Sequence, residues 1–133
     1  MKKTLCILAA IPLFLAGCAE LNPLPTREQI AVADCGPKPM KYQETMKAWL
    51  EATLKDPESA RYRNFSEPVK DCIRQSVFEG GQLIFGWSMS VEMNAKNSYG
   101  GYNGYETYSF MIRDEKIVAY CDPPGEFWST VKP

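Results

Sequence analysis

Residues 83–93 read Leu-Ile-Phe-Gly-Trp-Ser-Met-Ser-Val-Glu-Met, with Leu83, Phe85, Trp87, Met89, Val91 and Met93 at every second position. Ile84, Gly86, Ser88, Ser90 and Glu92 fill the places between. A strand points successive side chains to opposite faces, whereas a helix returns to one face every 3.6 residues. The alternation therefore predicts one long strand, buried on one face and mostly polar on the other. Such a strand needs neighbours for its backbone N–H and C=O groups and a cover for its apolar face.

The rest of the chain offers both. Tyr108, Phe110 and Ile112 repeat the alternation, Arg113-Asp114-Glu115-Lys116 forms a polar turn, and Ile117 to Cys121 makes a third strand. A weaker strand is expected from Val69 to Val77, before a turn at Gly80-Gly81, and Ala60 to Phe65 leads into the sheet. Pro123-Pro124-Gly125 stops the sheet and leaves Phe127 and Trp128 on a tail expected to pack back. Between Met40 and Lys55, Tyr42, Met46, Trp49, Leu50, Thr53 and Leu54 fall on one face of a helix. Asp56 is placed to cap a short further turn with Pro57 at its first position. The expected fold is α+β, one main helix packed on an antiparallel meander of three to four strands.

The N-terminus carries an address. Lys2 and Lys3 precede an apolar run from Thr4 to Ala16, and Leu15-Ala16-Gly17-Cys18 ends it. At about 13 residues the run falls short of the roughly 20 a membrane-spanning helix requires, so it reads as an export signal. The tetrad resembles the bacterial lipobox, which implies cleavage before Cys18 and lipidation of its thiol and new amine. Two or three acyl chains give the stable attachment that one does not. Ala19 stands where an Asp resembles an inner-membrane retention signal, so an outer-membrane anchor with the domain facing the periplasm is expected. The expected organisation is a signal peptide at 1–17, a lipidated, proline-containing tether at 18–39, and a small periplasmic domain at 40–133. Pro23, Pro25, Pro37 and Pro39 disfavour helix in the tether, whose flexible reach is on the order of 25 Å.

Two of the 15 basic residues leave with the signal, against 16 acidic residues that all remain. This acidic balance, without a basic cluster, argues against nucleic acid or a polybasic membrane patch as partner. There is no histidine, which removes Ser-His-Asp and Cys-His centres and most catalytic zinc sites. No cofactor, metal site or catalytic residue is called for, and the chain reads as a non-enzyme. Cys35, Cys72 and Cys121 remain in an oxidising compartment, where one disulfide is expected, with the odd cysteine either left as a thiol or bridged to another molecule. Cys72 and Cys121, both in strand regions, are the favoured pair.

Between the two alternating strands lies a biased loop, residues 94–105: Asn-Ala-Lys-Asn-Ser-Tyr-Gly-Gly-Tyr-Asn-Gly-Tyr. Its glycines and asparagines permit sharp turns through positive φ. Its asparagines also suit a self-satisfied hairpin, and its tyrosines suit a protein or sugar surface. Asn94, Lys96, Asn97, Tyr99, Tyr102, Asn103 and Tyr105 are the candidate binding residues.

Three blocks carry a family resemblance: Gly36-Pro37-Lys38-Pro39, then Leu54-Lys55-Asp56-Pro57-Glu58-Ser59-Ala60, then Asn94-Ala95-Lys96-Asn97 running into Gly100-Gly101-Tyr102-Asn103-Gly104. Over roughly residues 35–120 the chain resembles a group of small proteobacterial lipoproteins and envelope proteins. The resemblance implies an envelope address and no particular reaction. Relatives often have Cys-Gly before the third block, where this chain has Ser90-Val91, which implies a different disulfide pattern. The expected function is non-catalytic binding of an envelope protein through the sheet edge or the loop, an inhibitor or exclusion factor being one version. Recognition of glycan or peptidoglycan is the alternative, and a carboxylate-based hydrolase ranks below both.

Overall fold

The computed structural model describes residues 23–125 and 127–132. The expected signal peptide and the lipidation at Cys18 lie outside the described residues. Two helices, α1 (Arg27–Val32) and α2 (Tyr42–Glu51), precede six strands: β1 (Arg61–Arg63), β2 (Val69–Arg74), β3 (Leu83–Asn94), β4 (Glu106–Arg113), β5 (Lys116–Cys121) and β6 (Ser129–Thr130). All six belong to one antiparallel sheet.

This corrects the expected fold class. The layers are helix and antiparallel sheet, but the described residues are mostly sheet, six strands rather than three or four, with one helix among them longer than two turns. β3, β4 and β5 run as a meander that β6 extends from the segment read as a tail, and β1 and β2 add to it on the far side of β3. They pair with different halves of β3, Arg61 to Arg63 with Asn94 to Glu92 and Val69 to Arg74 with Ser88 to Leu83. The two are in effect one edge strand, interrupted where Asn64 takes a positive φ of 52° and Pro68 supplies no N–H. Ser66 bridges the interruption by donating its N–H to the Ser90 carbonyl at 2.9 Å and accepting the Ser90 N–H on Oγ at 2.8 Å.

The alternation along β3 is realised in its second half; Leu83, Phe85 and Trp87 are only half-buried, and Gly86, between them on the other face, is buried. Met89, Val91 and Met93 face Met46 and Leu50 of α2, with Phe110 and Ile112 of β4 beside them, all buried. Trp49 closes this core, its ring centroid 5.4 Å from Phe110 and 4.5 Å from Tyr120. Helix α2 is shorter than its apolar spacing predicts. It ends at Glu51, and Thr53, exposed, turns its hydroxyl back onto the Leu50 carbonyl at 2.7 Å. Asp56 makes no side-chain cap, and Pro57–Ser59 form a single 3-10 turn. On the opposite sheet face Ile73, Met111 and Ala119 make a smaller cluster that Trp128 covers, while Phe127 stays 80 % exposed. The β4–β5 hairpin turns on Asp114 and Glu115, both with positive φ, the geometry that matches strand twist in a two-residue turn.

Residues 23–39 of the segment read as a tether carry a helix and several clamps onto the sheet. Helix α1 begins with a capping box, Thr26 Oγ1 accepting the Gln29 N–H and Gln29 Oε1 accepting the Thr26 N–H. Lys70 of β2 donates to the carbonyls of Ala31 and Ala33, both at 3.0 Å. Trp87 donates Nε1–H to the Gly36 carbonyl at 3.0 Å, and Arg113 holds Asp34 through both its carbonyl and its carboxylate. Among the described residues no helix is long and apolar enough to cross a membrane.

Candidate binding surface

The loop 94–105 is a structured hairpin extension. Lys96 and Tyr102 face each other in a single antiparallel bridge, and the Asn97 N–H donates to the Gly101 carbonyl at 2.8 Å. The Asn97 side chain fills the turn. Its Oδ1 accepts the N–H groups of Tyr99 at 2.9 Å and Gly101 at 3.1 Å, and its Nδ2 donates to Asn103 Oδ1 at 3.0 Å. Positive φ within the loop falls on Gly100 and Gly104 and on none of its asparagines. Asn97 and Asn103 thus act through their side chains, satisfying the loop's own polar groups.

The loop is pinned from below by the turn that follows α2. Ser59, 9 % exposed, accepts the Lys96 N–H on Oγ at 3.0 Å while donating its hydroxyl to the Asp56 carbonyl at 2.7 Å. Its carbonyl accepts the Tyr102 hydroxyl at 3.0 Å. Lys55 reaches Ser98 Oγ at 2.9 Å. The second and third sequence blocks, 34 residues or more apart, are therefore one contact in space, whereas Gly36 of the first lies near Trp87 and Arg113.

The three tyrosines divide. The guanidinium of Arg61 lies 4.4 Å from the Tyr102 ring centroid, and that of Arg63 lies 3.7 Å from Tyr105. Each pair is a cation–π stack on the β1 edge. Arg63 also pairs with Glu92, which Asn64 bonds at 2.9 Å, and these bonds hold the Glu92 carboxyl below its ordinary range. Tyr99 alone among the three stands free, 98 % exposed at the tip. Asn94 ends β3 opposite Arg61, with its Oδ1 enclosed and without a hydrogen-bond partner among the described residues.

Sequence reasoning placed Asn97, Tyr99, Tyr102, Asn103 and Tyr105 in one loop, and the structure keeps them together. It missed Lys55, Ser59, Arg61 and Arg63. The second block pointed at the first two, since it runs from Leu54 to Ala60. Arg61-Tyr62-Arg63 is itself an alternating triplet, but at three residues it is too short to read as a strand with two basic side chains on one face.

The cysteines depart from the favoured pairing. All three are unbridged and buried. Cys72 lies next to Ile73 and Cys121 two residues past Ala119, so the two thiols project from opposite sheet faces, on strands with β3 and β4 between them. Three strand spacings amount to about 14 Å, twice what a disulfide spans between Cα atoms. Burial, the largest cause in each case, raises the pKa of both thiols, the opposite of what a nucleophilic thiolate requires. No protein-family model matches the chain, and neither a curated protein nor a solved structure shows significant similarity to it.

Proposed function

We propose that the chain is a lipid-anchored protein of the bacterial envelope that binds a protein partner without catalysis, through loop 94–105 and the β1 edge. The observation that carries the binding surface is its position and build. Helix α1 meets the sheet around Lys70, opposite Trp87, and the loop starts seven residues further along β3. At 3.3 Å per residue that is about 23 Å away, so a chain held by Cys18 would present the loop away from its attachment. From Cys18 to the Thr26 cap is eight residues, at most about 29 Å fully extended.

The chemistry suits a protein partner. Tyrosine and arginine are the residues on which binding energy concentrates. Here Tyr99 sits on a loop already ordered by Asn97, and Arg61 and Arg63 on the β1 edge are held over the rings of Tyr102 and Tyr105, so little conformational freedom remains to be lost on association.

A photo-reactive amino acid in place of Tyr99, in the full chain in living cells, tests this. A discrete protein adduct is expected, together with a lipid label that disappears in Cys18→Ser. An adduct to cell-wall glycan would replace protein binding with glycan recognition. No adduct at Tyr99 would remove the loop as the binding surface, and an unlabelled wild-type chain would remove the anchor.

A further inference from the structure

We infer that Cys35 and Cys72 form the disulfide of the mature protein, stapling the N-terminal segment to β2 and leaving Cys121 as the odd thiol. Every neighbour of Cys35 along the chain is held against the strand rows around Cys72. Ala33 accepts a hydrogen bond from Lys70, two residues before Cys72 and on the same strand face. Asp34 accepts from Arg113 Nη1 at 2.8 Å, and the same nitrogen donates to the carbonyl of Phe85, the register partner of Cys72. Gly36 accepts from Trp87, the register partner of Lys70. Residues 33, 34 and 36 are thus each tied by a side chain to the Lys70–Trp87 and Cys72–Phe85 rows, and Cys35 lies between them, 1 % exposed.

Lys70 and Trp87, which hold the neighbours of Cys35, lie on the same sheet face as Cys72, and Cys121 is on the other. Electrostatics agrees with the placement. Burial and then Asp71 raise the Cys72 pKa most, and Cys35 adds a further upward push. Both sulfurs are shielded from solvent, so the bond closes as the segment docks rather than afterwards.

The oxidant is a disulfide, either that of a thiol oxidase or glutathione disulfide. The thiolate of one cysteine attacks it, forming a mixed disulfide and releasing one thiolate. The second cysteine, deprotonated, then displaces the remaining half. Two thiols lose two protons and two electrons, and the oxidant is reduced to two thiols. Occupancy of the bond in the cell rests on the envelope reading above, whereas the pairing geometry does not.

The full chain is expressed in cells, quenched in acid, alkylated, digested with trypsin without reduction and examined by mass spectrometry. The expected product joins peptides 28–41 and 71–74, with Cys121 alkylated. A link involving Cys121 overturns the inference, as does full alkylation of all three in a chain whose N-terminus is processed at Cys18. If the chain is unprocessed, the envelope reading fails on its own. The purified full chain is then unfolded and refolded in glutathione and glutathione disulfide. Formation of the 35–72 link there sustains the pairing, and its failure in Cys121→Ser as well as in wild type overturns it.

Discussion

Replacing Ser59 by alanine removes the pin between the turn after α2 and loop 94–105. Two hydrogen bonds go, the hydroxyl to Asp56 O at 2.7 Å and the Lys96 N–H to Ser59 Oγ at 3.0 Å. The Tyr102 bond ends on the Ser59 backbone and has no direct reason to go. The Asp56 bond, at an exposed residue, contributes the ordinary net of about 1 kcal/mol, and stranding a partly buried N–H costs a further 1–2 kcal/mol or so. The sum is about 2–3 kcal/mol. A domain of this size loses about 4 °C in Tm per kcal/mol, so a fall of roughly 8–12 °C is expected by circular dichroism, with faster amide exchange at Lys96. Tyr102→Phe keeps the ring under Arg61 and removes the hydroxyl alone, so it is expected to cost about 1 kcal/mol. A Ser59→Ala protein whose Tm stays within about 2 °C of wild type would refute the reasoning, because it would mean that water satisfies the Lys96 N–H and the loop is not anchored there.

Gly86→Ala, in the longest strand, is expected to lower the urea midpoint by an amount worth about 1–3 kcal/mol. The new Cβ would meet the Ile112 carbonyl oxygen and Met111 Cγ, both at 2.9 Å, whereas at Gly101 it would come no nearer than 3.8 Å to any of its neighbours. Gly101→Ala should therefore change stability by less than about 0.5 kcal/mol, and equal effects at the two sites would contradict the geometry. Hydrogen bonds depress the folded pKa of Glu92, from Arg63 first, and that of Asp34, from the Gly36 N–H first and then the Arg113 charge. A depressed carboxyl stabilises the fold above its unfolded pKa, and that contribution disappears as pH falls through the folded value. Urea midpoints should hold above the ordinary carboxylate range and decline below it, more shallowly in Glu92→Gln. At the alkaline end burial, reinforced by Glu51, pushes Tyr62 up to about 12. Stability should fall from about pH 10 toward 12, and Tyr62→Phe should lessen that fall.

Where a segment's burial is decided by its own periodicity, the sequence could be read. β3 has one face against α2 and writes that fact into alternate residues, and Met46 and Leu50 do the same for the helix. β1 and β6, three and two residues long, exist because β3 and β5 offer them open backbone groups, and nothing in Arg-Tyr-Arg or Ser-Thr announces it. Helix α1 is different, since its signal was present. Thr26 and Gln29 have the capping-box spacing, but the prolines at 23, 25, 37 and 39 drew attention to what the segment could not form. Pro25 immediately precedes the cap and leaves the helix N–H groups untouched. For the loop, composition located the tyrosines but not their partners. Arg61 and Arg63 are brought to them by ladder pairing with residues about 30 positions away, and no local pattern encodes that.

The clamps on the N-terminal segment also set an order of events. A chain that emerges N-terminus first, from a ribosome or through a membrane pore, offers Asp34 long before its partner Arg113, 79 residues later. Lys70 and Trp87 arrive 39 and 51 residues after the carbonyls they bind. The hairpins from Leu83 to Thr130, by contrast, are contiguous in sequence and close with little loop entropy. The later-emerging hairpins are thus the template, and the earlier residues 23–39 dock onto them. Until the β4–β5 hairpin has emerged, residues 23–39 have no complete seat, so the N-terminal clamps can close only after Arg113 is in place.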